Sequence, residues 1–147
     1  MVNDSAHRRP EHNQKHCSLC GAETIMACPL CNTPIRGDYH VEGVIVLSGP
    51  TPTPSFCHEC GEPYPWTAEG LQAARQLVQE LEGLKGSEKE ALSKSLDDIV
   101  RDTPRTALAV LQVKKFLGRA KGPATLALRE VLLQLATEAA KKGLMGG

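Results

Sequence analysis

Three Cys-x-x-Cys pairs contain all six cysteines of the chain: Cys17/Cys20, Cys28/Cys31 and Cys57/Cys60. Two thiolates at this spacing on a tight turn can bind one tetrahedral Zn²⁺ at about 2.3 Å, and two such zinc knuckles complete one site. The residues that follow the pairs, Gly21, Asn32 and Gly61, are of the types that adopt positive φ at least cost. The pattern therefore predicts structural zinc in the N-terminal part of the chain.

Disulfide bonding and thiol exchange are the alternative uses of these cysteines. The segment from Met1 to Pro10 lacks the apolar stretch of a secretory signal, so we expect a cytoplasmic protein with reduced thiols. The Cys28-Pro29-Leu30-Cys31 segment could act as a redox motif, but thiol exchange of this kind is typical of a βαβ context that the surrounding sequence lacks. Both alternatives rank below metal binding, and a thiol redox protein remains one alternative function.

Six cysteines do not divide into complete four-ligand sites, so two partitions compete. Seven residues separate Cys20 from Cys28, whereas 25 residues separate Cys31 from Cys57 and leave room for a β-hairpin. The run from Tyr39 to Leu47 is rich in β-branched residues and predicts a strand within that loop. We therefore expect a small zinc ribbon of short β-hairpins and zinc knuckles, with Cys28/Cys31 and Cys57/Cys60 as its firm Zn²⁺ site.

The pair Cys17/Cys20 then requires two further ligands for a second Zn²⁺ site. The nearest histidines are His12 and His16, which are candidates to supply them. Without such ligands the second site would be incomplete.

Helical periodicity replaces the cysteine-rich pattern near residue 66, which predicts a zinc-ribbon domain over 1–66 and an all-α domain over 67–147. About four helices are expected. The first helix is predicted from Thr67 to about Lys85, and the second begins at a capping box formed by Ser87 and Glu90. The third is predicted from Thr103-Pro104 to about Gly118, and the fourth from Ala124 to Lys142. In the third helix, Leu108, Leu111 and Phe116 are expected on or near the apolar side. Because this core contains few aromatic residues, homo-oligomerisation through the helices is expected, and contact with a membrane surface is not favoured.

Charge is balanced overall, with 17 basic and 17 acidic side chains, which argues against general coating of nucleic acid. One basic cluster stands out between residues 101 and 121. It could form a solvated helix face, or it could bind phosphates or an acidic partner, which makes a nucleic-acid-binding ribbon another alternative function. Its members are Arg101, Arg105, Lys114, Lys115, Arg119 and Lys121.

An enzyme is not expected. Four cysteine ligands close the coordination sphere of zinc, whereas a catalytic zinc keeps a position open for water. The chain also lacks Gly-x-Ser-x-Gly, His-Glu-x-x-His and phosphate-loop motifs. No catalytic residue is therefore assigned.

Several longer segments, together covering nearly the whole chain, resemble an uncharacterised bacterial zinc-ribbon family, a domain of unknown function. Members of that family begin with a Cys-x-Asn-Gly-His element ahead of a segment like Val2–Ser5. The resemblance thus implies that the natural chain starts earlier. It also implies that the Cys-x-Asn-Gly-His element supplies the other half of the zinc site of Cys17/Cys20. It implies no known activity. The segments that carry the resemblance are Cys17–Gly21, Cys28–Cys31, Pro34–Val41, Cys57–Thr67, Ser95–Val100 and Asp102–Thr106.

The sequence as a whole predicts a cytoplasmic adaptor or interaction protein in which zinc holds a recognition surface. The expected partner is a protein, with nucleic acid ranked second.

Overall fold

The computed structural model describes residues 3–45 and 49–146 of the chain. Two compact units are present, Met1–Tyr64 and Pro65–Gly147, and each is described here by itself. The division lies close to the boundary expected near residue 66.

The N-terminal unit consists mainly of turns and irregular backbone. Within residues 3–45 and 49–64 there is no β-strand or sheet, so the prediction of a β-hairpin ribbon is wrong. Three isolated antiparallel bridges, each formed by one residue pair, replace it: His16 with Glu23, Ala27 with Pro34, and Phe56 with Pro63. Each bridge flanks one Cys-x-x-Cys pair. A single 3₁₀ turn spans Pro10–His12.

The run expected to form a strand is interrupted by a turn. The backbone N–H of Val44 donates to the carbonyl of Val41 at 3.2 Å, and Gly43 has a φ of 79°. Tyr39 and Ile45 lie exposed on either side of this turn. Strand propensity needs a paired neighbour, and the prolines of the segment 50–54 offer no N–H groups for a ladder. The last part of the predicted strand, residues 46–47, lies outside the described residues.

Asp4 forms hydrogen bonds with Asp38 and Thr51, which lie before and after the interrupted run. Its carbonyl accepts a hydrogen bond from the N–H of Asp38 at 2.7 Å, and its carboxylate accepts one from the N–H of Thr51 at 3.2 Å. The backbones approach so closely that a Cβ on Gly37 would lie 2.0 Å from the Asp4 carbonyl oxygen. Glycine is therefore required at position 37.

The C-terminal unit contains five α-helices within residues 65–146, where about four were expected. The predicted fourth helix is divided because Ala136 has extended backbone, with a ψ of 146°. Thr137 then caps the next helix by accepting a hydrogen bond from the N–H of Ala140 at 3.3 Å. The helices are α1 (Pro65–Gln79), α2 (Gly86–Ile99), α3 (Thr106–Leu117), α4 (Pro123–Leu135) and α5 (Glu138–Met145).

The helices pack around an aliphatic core. Helix α1 contacts α2 and α4, while α3 contacts α2 and α5. The inward face of α3 is formed by Ala109, Val110 and Val113, whereas Leu108 and Leu111 are exposed, contrary to expectation. The other members of the core include Leu71, Ala74, Val78, Leu92, Leu96, Ile99, Leu128 and Leu132.

Among the described residues, no helix has the length and apolar character needed to cross a membrane.

Candidate metal centre

Four cysteines converge in the N-terminal unit. The Sγ atoms of Cys28, Cys31, Cys57 and Cys60 all lie within 4.8 Å of one another. Across the two pairs, Cys28 Sγ lies 3.8 Å from Cys60 Sγ, and Cys31 Sγ lies 3.6 Å from Cys57 Sγ. A regular tetrahedron with metal–sulfur bonds of about 2.3 Å has sulfur–sulfur edges of about 3.8 Å. The four thiols are therefore spaced as ligands of one tetrahedral ion.

The same backbone turn builds each of the three cysteine pairs. The N–H of the residue after the second cysteine donates to the carbonyl of the first cysteine at 2.8 Å for Gly21, 2.9 Å for Asn32 and 2.9 Å for Gly61. These three residues have φ of 73°, 59° and 74°, so the left-handed conformation expected from their types is present. The turn fixes the spacing of its two sulfur atoms through local contacts alone.

Tyr64 covers the inner side of the cysteine cluster. Its side chain is 1% exposed and forms a small core with Cys28 and Cys57, against which Ile35 packs. The N–H of Tyr64 donates to the carbonyl of Ser55 at 3.0 Å, which places this residue beside the third knuckle. Burial, together with the hydrogen bond to Cys57 and the neighbouring thiolates, raises the pKa of Tyr64 to about 12. The phenol consequently stays protonated and can donate to sulfur.

The thiols of Cys57 and Cys60 are shifted in opposite directions in acidity. The backbone N–H groups of Cys60 and Glu59 stabilise the thiolate of Cys57 and lower its pKa to about 6. The backbone N–H of Glu62 also favours the thiolate of Cys60, but partial desolvation of the sulfur and the three neighbouring sulfur atoms outweigh it and raise the pKa of Cys60 to about 12. Several adjacent thiolates repel one another, and a divalent cation removes this repulsion.

Solvent exposure separates the four cysteines into two kinds. Cys28 and Cys57, the first residue of each pair, are buried, whereas Cys31 and Cys60 are exposed. The centre therefore has a covered side against Tyr64 and an open side toward solvent.

Cys17 and Cys20 form the first knuckle of the chain and join no larger cluster among the described residues. The backbone N–H groups of Leu19 and Cys20 lower the pKa of Cys17, as those of Cys60 and Glu59 do for Cys57. Among residues 3–45 and 49–146, no group of three or more potential ligands includes this pair. The expected ligands His12 and His16 are both exposed, and neither is brought together with the two cysteines.

The six basic residues singled out in the sequence lie on α3 and on the segments that precede and follow it. Arg105 lies 3.4 Å from the carboxylate of Asp98, and Arg119 forms an ion pair with Glu88. Lys114 donates to the carbonyls of Gly143 and Gly146. At least three of the six basic residues are thus engaged in ion pairs or hydrogen bonds. Arg101, Lys115 and Lys121 complete the set and are all exposed.

The comparisons with known proteins give a family assignment and no further match. No curated protein and no solved structure matches the chain. A family model described as "uncharacterized protein conserved in bacteria (DUF2321)" matches residues 1–144, almost the full sequence. The chain therefore belongs to this uncharacterised bacterial family.

Proposed function

We propose that this protein is a structural-zinc-binding interaction protein, in which Cys28, Cys31, Cys57 and Cys60 hold one Zn²⁺. The observation that carries the proposal is the approach of the four sulfur atoms to within 4.8 Å of one another. Tetrahedral coordination by four thiolates is typical of zinc or iron–sulfur sites, and sulfur–sulfur distances of 3.6 and 3.8 Å fit a single ion. Zinc is the common ion of closed four-cysteine knuckle sites.

The proposed role of the ion is structural. Four cysteine ligands leave no open position for a water molecule or substrate, so we propose no catalytic activity. The buried apolar cluster around the metal centre is very small, since it consists of Cys28, Cys57 and Tyr64 with Ile35 beside them. A unit with so little apolar core needs a further constraint, and a bound metal would supply it.

The proposed adaptor function rests on what the N-terminal unit exposes. Leu19 and Leu30, each inside a Cys-x-x-Cys knuckle, are 95% and 73% exposed. Tyr39 and Ile45 are exposed as well. Large apolar side chains held outward by rigid turns are suited to contact a protein surface. Nucleic-acid binding is less well supported, because Arg105 and Arg119 already pair with carboxylates. Homo-oligomerisation through the helices stays a prediction.

The Cys17/Cys20 knuckle is proposed as half of a second zinc site. Its turn matches the two paired knuckles in hydrogen bonding and in the φ of Gly21. The described residues bring no group of further ligands to Cys17 and Cys20. The two remaining ligands of this second site would have to come from elsewhere.

Native mass spectrometry of the purified chain tests the proposed zinc site. We expect at least one zinc per chain in the wild type, with that zinc lost in the double variant Cys28→Ser/Cys57→Ser. The double variant Cys17→Ser/Cys20→Ser is the matched control, since it removes the same number of thiols and should retain the zinc. An iron–sulfur centre would be recognised by its mass and colour. Metal-free wild type, or the same number of zinc ions in the first variant as in the wild type, would contradict the proposal.

A further inference from the structure

The helical unit contains a cavity that is distinct from the metal centre. It has a volume of about 280 Å³ and lies among the C-terminal part of α3, the α4 helix and the end of α5. This volume is just below the roughly 300–1,000 Å³ range of small-molecule sites. Most of its wall is aliphatic, formed by Leu117, Leu126, Leu132, Leu133, Leu144 and Met145.

One polar atom in the cavity wall has no hydrogen-bond partner. The Oγ1 atom of Thr125 is buried and makes no hydrogen bond in the described part of the chain. A buried hydroxyl without a partner costs about 1–3 kcal/mol, so native proteins rarely leave one unsatisfied. Thr125 itself lines the cavity, and rotation of its side chain about χ1 would turn this hydroxyl toward a molecule bound there.

The charged groups of the cavity are all positive. Its lining includes Lys114 and Arg129 and contains no acidic side chain. Arg129 forms no ion pair among the described residues, and it lies one turn after Thr125 on the same side of α4. Lys114 uses two of its three N–H groups on the carbonyls of Gly143 and Gly146, which leaves one donor. The polar part of the cavity thus offers donors and positive charge.

We propose that this cavity binds a small amphipathic anion, a medium-chain alkyl carboxylate. The carboxylate accepts hydrogen bonds from Arg129, Thr125 and the free N–H of Lys114. The alkyl chain lies along the leucines of α4, where Leu132 is buried and Leu133 partly buried. Charge complementarity selects a carboxylate over an amine, and the small volume selects a single short chain over a two-chain lipid.

Octanoate tests the proposal on the full-length chain, at concentrations well below those at which it forms micelles. Binding is followed by two-dimensional NMR of the backbone amides. We expect saturable shifts confined to residues around the cavity, among them Leu126, Leu133 and Met145. Octylammonium, with the same chain and the opposite charge, should produce no saturable shifts, and acetate should show that the alkyl chain is needed.

Two variants probe the polar groups. Arg129→Gln should weaken octanoate binding by at least about tenfold, because a hydrogen bond to a charged group is lost. Lys142→Gln removes an exposed positive charge of the same unit that does not line the cavity, and should leave the affinity within about twofold. Thr125→Val should weaken binding by about fivefold, and it should not lower the melting temperature since the hydroxyl has no partner in the protein.

The absence of saturable shifts with octanoate would overturn the proposal. Equal binding of octylammonium would also overturn it, because the cavity would then act as a general apolar surface. Unchanged affinity in Arg129→Gln would exclude the proposed carboxylate contact and overturn it as well.

Discussion

Replacing Tyr64 with phenylalanine should weaken zinc binding without unfolding the N-terminal unit. The ring of Tyr64 is 1% exposed and packs on Cys28 and Cys57, and phenylalanine keeps this packing. Only the hydroxyl is lost, along with its hydrogen bond to Cys57. The variant therefore separates the polar support of the metal ligand from the apolar cover of the site.

The expected magnitude follows from the charge of the acceptor. A hydrogen bond to a charged group contributes about 1.5–3 kcal/mol, and groups that support metal ligands typically change affinity by about 10–100-fold. Cys57 also accepts hydrogen bonds from the backbone N–H groups of Glu59 and Cys60, which remain in the variant. We therefore expect the lower end of this range, an affinity reduced by about tenfold.

Competition with a chromophoric chelator at neutral pH measures the zinc affinity of each protein. Tyr39→Phe is the matched control, because Tyr39 belongs to the same unit and is 81% exposed. Its affinity should equal that of the wild type. The reasoning is refuted if Tyr64→Phe stays within about twofold of the wild type, or if Tyr39→Phe weakens zinc as much.

Two further predictions concern acidity and the start of the chain. Zinc occupancy should fall on acidification, because protons compete with the metal for the thiolates; the lowered pKa of Cys57 makes that ligand the harder of the two to protonate, and the raised pKa of Cys60 makes it the easier. A pH titration followed by native mass spectrometry measures this, and full occupancy at about pH 4 would contradict it. Gly37→Ala should release the segment around Asp4, because its Cβ would meet the Asp4 carbonyl oxygen at 2.0 Å. Amide exchange at Asp38 should then accelerate, whereas Gly49→Ala, which has open space around its Cβ, should leave it unchanged.

The local part of the metal centre could be predicted from sequence. A Cys-x-x-Cys pair followed by glycine or asparagine specifies a complete turn within a few residues, and all three turns have the expected positive φ. The spacing between pairs also favoured joining Cys28/Cys31 to Cys57/Cys60, the group that the structure assembles. Short-range geometry was sufficient for these inferences.

Features that depend on distant partners could not be predicted. The run around Val41 and Ile45 has strand-forming residues, but no neighbouring strand pairs with it in the described residues. Tyr64 follows the third knuckle in sequence, yet its contact with Cys28 depends on how the chain folds back over the centre. Neither the pairing of a strand nor the burial of the metal centre by Tyr64 can be determined from residue type alone.

The helices also show that the residue pattern alone does not determine tertiary packing. Helix α3 is apolar around most of its circumference, so periodicity does not distinguish Leu108 and Leu111 from the face that is buried. The division between α4 and α5 was missed because Thr137 looks like an ordinary helical residue until its side chain is seen to cap Ala140. Apolar content predicted the helices, and tertiary packing selected their faces and ends.

The identical turns have a consequence for the order of folding. Each knuckle closes within a few residues, so it can form early and at little entropic cost. Joining the second knuckle to the third closes the 25 residues between Cys31 and Cys57, at a cost of about 3.5 kcal/mol in chain entropy. The small cluster around Tyr64 contributes little toward that closure, whereas structural zinc contributes about 10–16 kcal/mol. If the site holds zinc as proposed, closure of this unit is coupled to capture of the ion, and the folded fraction of the unit depends on metal concentration.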